Sequence, residues 1–131
     1  MLLHSLGFPL FNMTNGEFVK LVWRTYGDMP VYVIQAMDNV DIVVEEWPEP
    51  SEHGQVGESS TLVGLYHGIP MTERELGDPI MPDRIVIYRQ PILQNCSTHA
   101  EVEYEIKVTL WHEVGHYFGM TEEDLHRLGY N

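Results

Sequence analysis

His112-Glu113-Val114-Gly115-His116, running directly into Tyr117-Phe118-Gly119, is the stretch on which the reading of this chain turns. It stands in apolar company, with Val108, Leu110 and Trp111 before it and Tyr117 and Phe118 after it. Residues i and i+4 of a helix share a face one turn apart, so a helix here lets both imidazoles grip one metal ion. Glu113, one position on from His112, is placed to reach a water at that ion rather than the ion itself. The upstream residues supply the helix. Thr98 and Glu101 have capping-box spacing, Glu103 and Glu105 favour the early turns, and no proline interrupts from His99 to Phe118. A helix over about His99–Phe118, stopped by Gly119, follows. The competing reading is a core helix whose histidines bond backbone carbonyls, and it leaves Glu113 unpaired among apolar residues.

A catalytic tetrahedral zinc takes three protein ligands and one water, so a third ligand is needed. Gly119 permits a sharp turn, and Met120-Thr121-Glu122-Glu123-Asp124 follows it. Glu122 lies six residues beyond His116, a spacing similar to that of one large class of zinc peptidases, and leads the candidates. Glu123 and Asp124 are close behind, and His126 shares a helical face with Glu122. Thr121 also has the look of an N-cap, in which case the three acids complement the dipole of a short last helix.

The 131 residues suit one domain over 1–131, with residues 1–13 as an apolar N-terminal extension packed on it. That extension lacks a basic start and a convincing cleavage site, and Pro9 interrupts it, so export is not expected. No stretch approaches the roughly 20 apolar residues that span a bilayer. A formal charge of −13 repels phosphate backbones and argues against nucleic acid as a partner, while an acidic surface favours basic substrates. Cys96 is the single cysteine, which excludes an internal disulfide and suits a reducing, cytoplasmic setting. It reads most simply as a small buried apolar residue, and Trp23, Trp47, Trp111 and the methionines read as core.

The order of elements is α+β. Thr14 and Glu17 open a helix through Phe18, Leu21, Val22 and Tyr26 that stops near Gly27. Val31, Ile34 and Met37 have helical spacing, although Val31-Tyr32-Val33-Ile34 also suits a strand; the helix is preferred. Asp41–Trp47, Leu62–Tyr66 and Arg84–Arg89 read as strands, with Ile85-Val86-Ile87-Tyr88 the strongest. Glu49–Ser60 reads as a surface loop, and Pro91–Asn95 as a short helical turn. The long connection from His67 to Asp83, rich in proline and glycine, is a candidate cleft wall.

Several stretches together resemble the small zincin-like metallopeptidases of prokaryotes. These are Met37-Asp38-Asn39-Val40 leading into Val43-Val44-Glu45-Glu46-Trp47-Pro48; Leu62-Val63-Gly64-Leu65-Tyr66; Pro70-Met71-Thr72-Glu73-Arg74; Pro82-Asp83-Arg84-Ile85; and Thr109 to Gly119. The resemblance spans roughly Phe18 to Gly129. It implies a minimal zincin-like fold, a small β-sheet packed beside the long motif-bearing helix, and a zinc-dependent peptidase activity. By that resemblance His112 and His116 match the metal-binding positions and Glu113 the general base, and the acids after Gly119 match an acidic region that supports Glu122 without fixing it. Larger zincins carry a supporting methionine turn well downstream. Only twelve residues follow Gly119 here, so that support is expected to be missing or supplied by a residue such as Met120.

The expected function is a Zn2+-dependent hydrolase acting on a peptide or protein, with Glu113 taking the proton of the attacking water. Tyr88, Tyr104, Tyr117, His99 and Arg84 are chemically able to stabilise the oxyanion, and spacing does not choose among them. An extended substrate is expected to add to the edge of the sheet, with Ile85–Tyr88 as the edge. The alternative is a non-catalytic metal-binding or interaction module on the same scaffold. A metal-dependent RNA hydrolase is disfavoured by the acidic charge, and a peptide deformylase by the surroundings of Cys96. Self-association is left open.

Overall fold

The computed structural model of the protein describes residues 11–50, 62–76 and 83–130. Helix α1 (Asn15–Gly27) begins at the expected capping box: the Thr14 hydroxyl accepts from the Glu17 N–H at 3.2 Å, and the Glu17 carboxylate accepts from the Thr14 N–H at 3.0 Å. A short α2 (Val31–Ala36) follows Pro30, the helix preferred from the spacing. Its buried pair is Val33 and Met37, while Val31 and Tyr32 face outward. Then come β1 (Val40–Glu45), β2 (Gly64–His67), a 3-10 turn over Met71–Glu73, β3 (Asp83–Tyr88), α3 (Arg89–Gln94), α4 (His99–Tyr117) and α5 (Glu122–Leu128).

The three strands form one sheet in the order β1-β3-β2, with β1 parallel and β2 antiparallel to β3. The expectation that Ile85–Tyr88 forms a sheet edge is therefore wrong, because β3 is the central strand. An unbroken apolar run is the mark of a strand covered on both faces and paired on both sides, and Ile85, Val86, Ile87 and Tyr88 are all fully buried. The described edge beside the motif helix belongs to β2.

Period-two alternation sorts β3 between two apolar layers. Ile85 and Ile87 join the main core with Phe18, Leu21 and Val22 of α1, Ile92 and Leu93 of α3, and Val102, Ile106, Leu110 and Val114 of α4. Val86 and Tyr88 face the opposite layer with Leu62 and Leu65. The buried stripe of α4 recurs every third or fourth residue, as an amphipathic helix requires, and Glu113 interrupts it on the side turned to the sheet.

Met13, Met29 and Met37 are core, as is Cys96, but Trp23 and Trp47 are 49% and 52% exposed and are not. Each tryptophan is about half-exposed, as so large a ring often is. Of the apolar extension, residues 1–10 lie outside the described residues, while Phe11 and Met13 pack on the core. The polar loop expected over Glu49–Ser60 and the end of the connection from His67 lie largely outside them too. Among the described residues no helix is long and apolar enough to cross a membrane.

Candidate metal centre

Helix α4 begins with the Thr98 hydroxyl accepting from the Glu101 N–H at 3.1 Å, and the Glu101 carboxylate reaches back to the Ser97 N–H at 2.7 Å. Toward its other end His112 and His116 stand one above the other with their ring centroids 4.8 Å apart. The chain leaves α4 through Gly119 at φ 86°, a left-handed conformation that glycine adopts at little cost. A Cβ there would strike Thr72, so this turn is also where the 68–76 connection packs on the end of α4. The reversal delivers α5. Thr121 caps it in a reciprocal box with Asp124, which also pairs with Arg127 at 2.7 Å.

That arrangement separates the acids by role. Asp124 is spent on the cap, and Glu122 at the first helical position turns toward α4. Glu122 Oε1 lies 2.7 Å from His116 Nε2 and 3.2 Å from His112 Nε2, and the two nitrogens are 3.1 Å apart. Capping and ligation, rival readings of this segment in the sequence, are served by different residues of one turn. Among the described residues His112, His116 and Glu122 are the set of three metal-ligand side chains whose donor atoms converge, all within 4.8 Å of one another. Glu123 and His126 stay outside it.

The donor set fits a metal ion. Ligand atoms about 2.0–2.2 Å from a tetrahedral ion stand about 3.3–3.6 Å from each other. The two contacts of His112 are near that spacing, and the 2.7 Å contact of His116 with Glu122 would open slightly around an ion. The second nitrogen of His112 adds a stronger argument. His112 Nδ1 lies 2.5 Å from the main-chain carbonyl oxygen of Tyr130. A carbonyl only accepts, so Nδ1 carries the hydrogen, and Nε2 of the neutral ring presents a lone pair. Lone pairs of an imidazole and a carboxylate converging in this way form a set that a cation can fill.

Glu113 is 5% exposed and sits beneath this cluster. Burial pushes its carboxyl above the ordinary value, opposed by the neighbouring His112 and His116 rings and by the backbone N–H of Tyr66, which donates to it. The β2–β3 register explains that donor. Tyr88 N–H bonds to the Val63 carbonyl, so the alternating ladder turns the main-chain groups of Gly64 and Tyr66 away from β3 and toward the open edge. Gly64 permits the approach: a Cβ there would meet the Thr109 methyl of α4 at 2.5 Å.

Beside the cluster lies a cleft of about 420 Å³. Gly64, Leu65 and Tyr66 of β2 form one wall, continued by Gly68, Pro70 and Glu73, and the far wall is α4 and the turn into α5. The connection from His67 thus lines a cleft as its composition suggested. It is fastened by Asp83, a buried carboxylate at the start of β3. Asp83 accepts from the Tyr66 hydroxyl at 2.6 Å and pairs with Arg74, whose guanidinium also lies over the Tyr117 ring at 5.6 Å. Met120 lines the cleft next to Gly115.

None of the five residues considered for the oxyanion lines the cleft. Tyr88 and Arg84 belong to the other sheet face, Tyr104 is exposed, His99 starts α4 three turns and more from the motif, and the Tyr117 hydroxyl donates to the Ala36 carbonyl at 2.9 Å. The groups that sequence reasoning missed are the Tyr130 carbonyl, the Tyr66 N–H and Asp83. Asp83 alone had a legible signal, an acid opening the most apolar strand of the chain.

The family model described as zincin-like metallopeptidase matches residues 37–130. No curated protein matches the chain. Among solved structures, a conserved hypothetical protein from Thermus thermophilus is similar over 90% of this chain and 100% of its own, with 22% identity and a TM-score of 0.56. At that identity the likeness speaks to the fold alone.

Proposed function

The chain belongs to the zincin-like metallopeptidase family, with a minimal zincin-like fold, and from that premise we propose that it is a zinc-dependent peptidase. His112, His116 and Glu122 would hold Zn2+. Bound there, the ion would acidify water toward a pKa of about 7 and polarise a peptide carbonyl. Glu113 is the general base. It takes the proton of the attacking water and passes it to the leaving amine, and burial, which raises its carboxyl above the ordinary value, makes it a stronger base than an exposed glutamate. The Tyr66 N–H holds one side of that carboxylate in place. The peptide substrate lies extended along β2, using the outward main-chain groups of Gly64 and the Tyr66 carbonyl in the manner of an added strand, the Tyr66 N–H being kept by Glu113.

The observation that carries this reading is the convergence of three donor atoms within 4.8 Å beside a buried carboxylate, in a cleft bounded by a strand edge. Three protein ligands among the described residues, rather than four, leave a position for water and favour catalysis over a purely structural metal. Glu73 and Glu122 on the cleft and the charge of −13 favour cationic peptides and disfavour nucleic acid. A cytoplasmic setting suits the single cysteine: Cys96 is buried, and burial followed by the charges of Glu105 and Glu101 pushes its thiol up to about 11.

The test is zinc content of the purified protein beside His116→Ala, followed by a peptide-library cleavage assay with Glu113→Gln as control. About one zinc per chain, lost in His116→Ala, and cleavage reduced at least ~100-fold in Glu113→Gln are expected. Zinc uptake with no cleavage of any peptide would leave the non-catalytic metal-binding module. No uptake by the wild-type protein would end the peptidase reading.

A further inference from the structure

The segment after α5 returns to the metal centre in a way the peptidase reading does not require. Helix α5 ends in a full Schellman motif: the Gly129 N–H bonds to the His126 carbonyl at 3.1 Å and the Tyr130 N–H to the Leu125 carbonyl at 2.9 Å, with Gly129 at φ 87°. This turn carries Tyr130 back across α4. Its ring stacks on Trp111 with centroids 5.5 Å apart and planes 15° apart, and its carbonyl oxygen meets His112 Nδ1. Leu125, one turn earlier, fills the notch left by Gly115 between the two histidines in sequence. The same short helix therefore presents Glu122 to the front of the histidine pair and the Tyr130 carbonyl to the back of His112.

We propose that Tyr130 is a positioning residue of the metal centre, whose main-chain carbonyl holds His112 in the Nδ1–H tautomer with its Nε2 lone pair aimed between His116 and Glu122. Free imidazole in water prefers neither ring orientation nor, strongly, one tautomer, and a ligand that must first be turned and tautomerised binds more weakly. Partners of this kind on the second nitrogen of a ligating histidine are worth about 10–100-fold in metal affinity. Here the partner is a backbone atom, and its placement depends on Gly129 for direction and on Trp111 for the stack. The inference rests on His112 serving as a ligand, as proposed above.

The test compares the wild-type chain with a deletion of residues 130–131 and with Gly129→Val. A Cβ at Gly129 meets nothing within 4 Å, and a β-branched residue is strained in its left-handed backbone, so that substitution acts through the backbone and redirects Tyr130. Two readouts are used: the His112 ring tautomer in the metal-free protein, from long-range 1H–15N correlation spectra, and zinc affinity by competition with a chromophoric chelator. Nδ1–H in the wild type, a shift toward Nε2–H in either variant, and zinc bound about 10–100-fold more weakly are expected. An Nε2–H ring in the wild type, which needs no variant to fold, overturns the inference. So does zinc bound within about twofold of wild type by a folded variant, and in both cases the peptidase reading stands. Wild-type protein that takes up no zinc overturns both.

Discussion

At the scale of single residues, Glu113 is costly to the fold and valuable to the chemistry. A carboxyl whose folded pKa is raised by burial begins to weaken the folded state as the pH rises through the unfolded value of about 4.3, and the penalty is complete above the folded value. Glu113→Gln keeps the shape and sheds the charge. The metal-free variant is therefore expected to be more stable than metal-free wild type at about pH 7, with the margin closing as the pH is lowered toward about 4. Urea melts across that range decide it, and a less stable variant near neutrality would show that the Tyr66 N–H and the two imidazoles compensate burial completely. The residue scale is also where the sequence is most legible. His112, Glu113 and His116 are held in register by helix geometry, which depends on spacing alone, whereas Glu122 is singled out from Glu123 and Asp124 only by the Gly119 turn and the Thr121 cap of the next helix. The Tyr130 carbonyl and Tyr66 N–H are illegible because every residue carries such groups, and only tertiary placement gives one of them a task.

At the scale of elements, two glycines set how closely the pieces of the site approach. Gly64 brings β2 against α4, where Thr109 is β-branched, helical and confined to few rotamers. Gly64→Ala is expected to cost about 2–3 kcal/mol in urea denaturation, and Thr109→Ser, which removes the clashing methyl, should recover part of it. A loss below about 0.5 kcal/mol in the single variant would mean the strand has room to shift. Gly115 lies against Leu125, a more flexible neighbour. Gly115→Ala gains about 1 kcal/mol of helix propensity and loses about 1–3 kcal/mol to overpacking, so the fold changes little. The displaced element is α5, which carries Glu122, and zinc affinity is expected to fall more than stability does. Unchanged chelator competition in Gly115→Ala would show that Leu125 alone absorbs the added methyl. Elements are read well from caps: Thr14, Thr98 and Thr121 each begin a helix where their spacing indicates. Strand order misleads for a physical reason. The run Ile85–Tyr88 suggests a peptide-binding edge because it is strongly β-forming, whereas the same continuous hydrophobicity demands two covered faces and two paired sides. The weaker, glycine-containing Gly64–His67 is the one that can face a cleft.

At the scale of the whole molecule, the proposed metal ligands among the described residues come from α4 and α5, while the main core joins α1, α3, α4 and the sheet without any of the three. A domain whose metal closes its core is unfolded without it, as small zinc-dependent modules are. This architecture predicts a different response. Phe18, Ile85, Ile87, Ile92, Ile106 and Leu110 are fully buried in that cluster, and none of the three proposed ligands belongs to it. Helix α5 is attached more lightly. It has seven residues, one of them buried, with the Leu125 notch, the Tyr130 stack and the Glu122 contacts to hold it. Stripping zinc from the loaded protein with a chelator is expected to leave the far-ultraviolet spectrum and a cooperative melt in place. Hydrogen exchange should speed up over residues 121–130 and stay unchanged over α1 and β3, because opening follows the local density of buried contacts. The melting temperature will fall by mass action, since the folded chain binds the ion and the unfolded chain does so weakly, and that fall should scale with free zinc. Loss of protection across α1 and β3 on chelation would reverse the assignment, making the metal a structural tie for the whole domain. Exchange confined to 121–130 would identify α5 as the movable half of the site, with the long helix and the sheet as the fixed frame against which it closes.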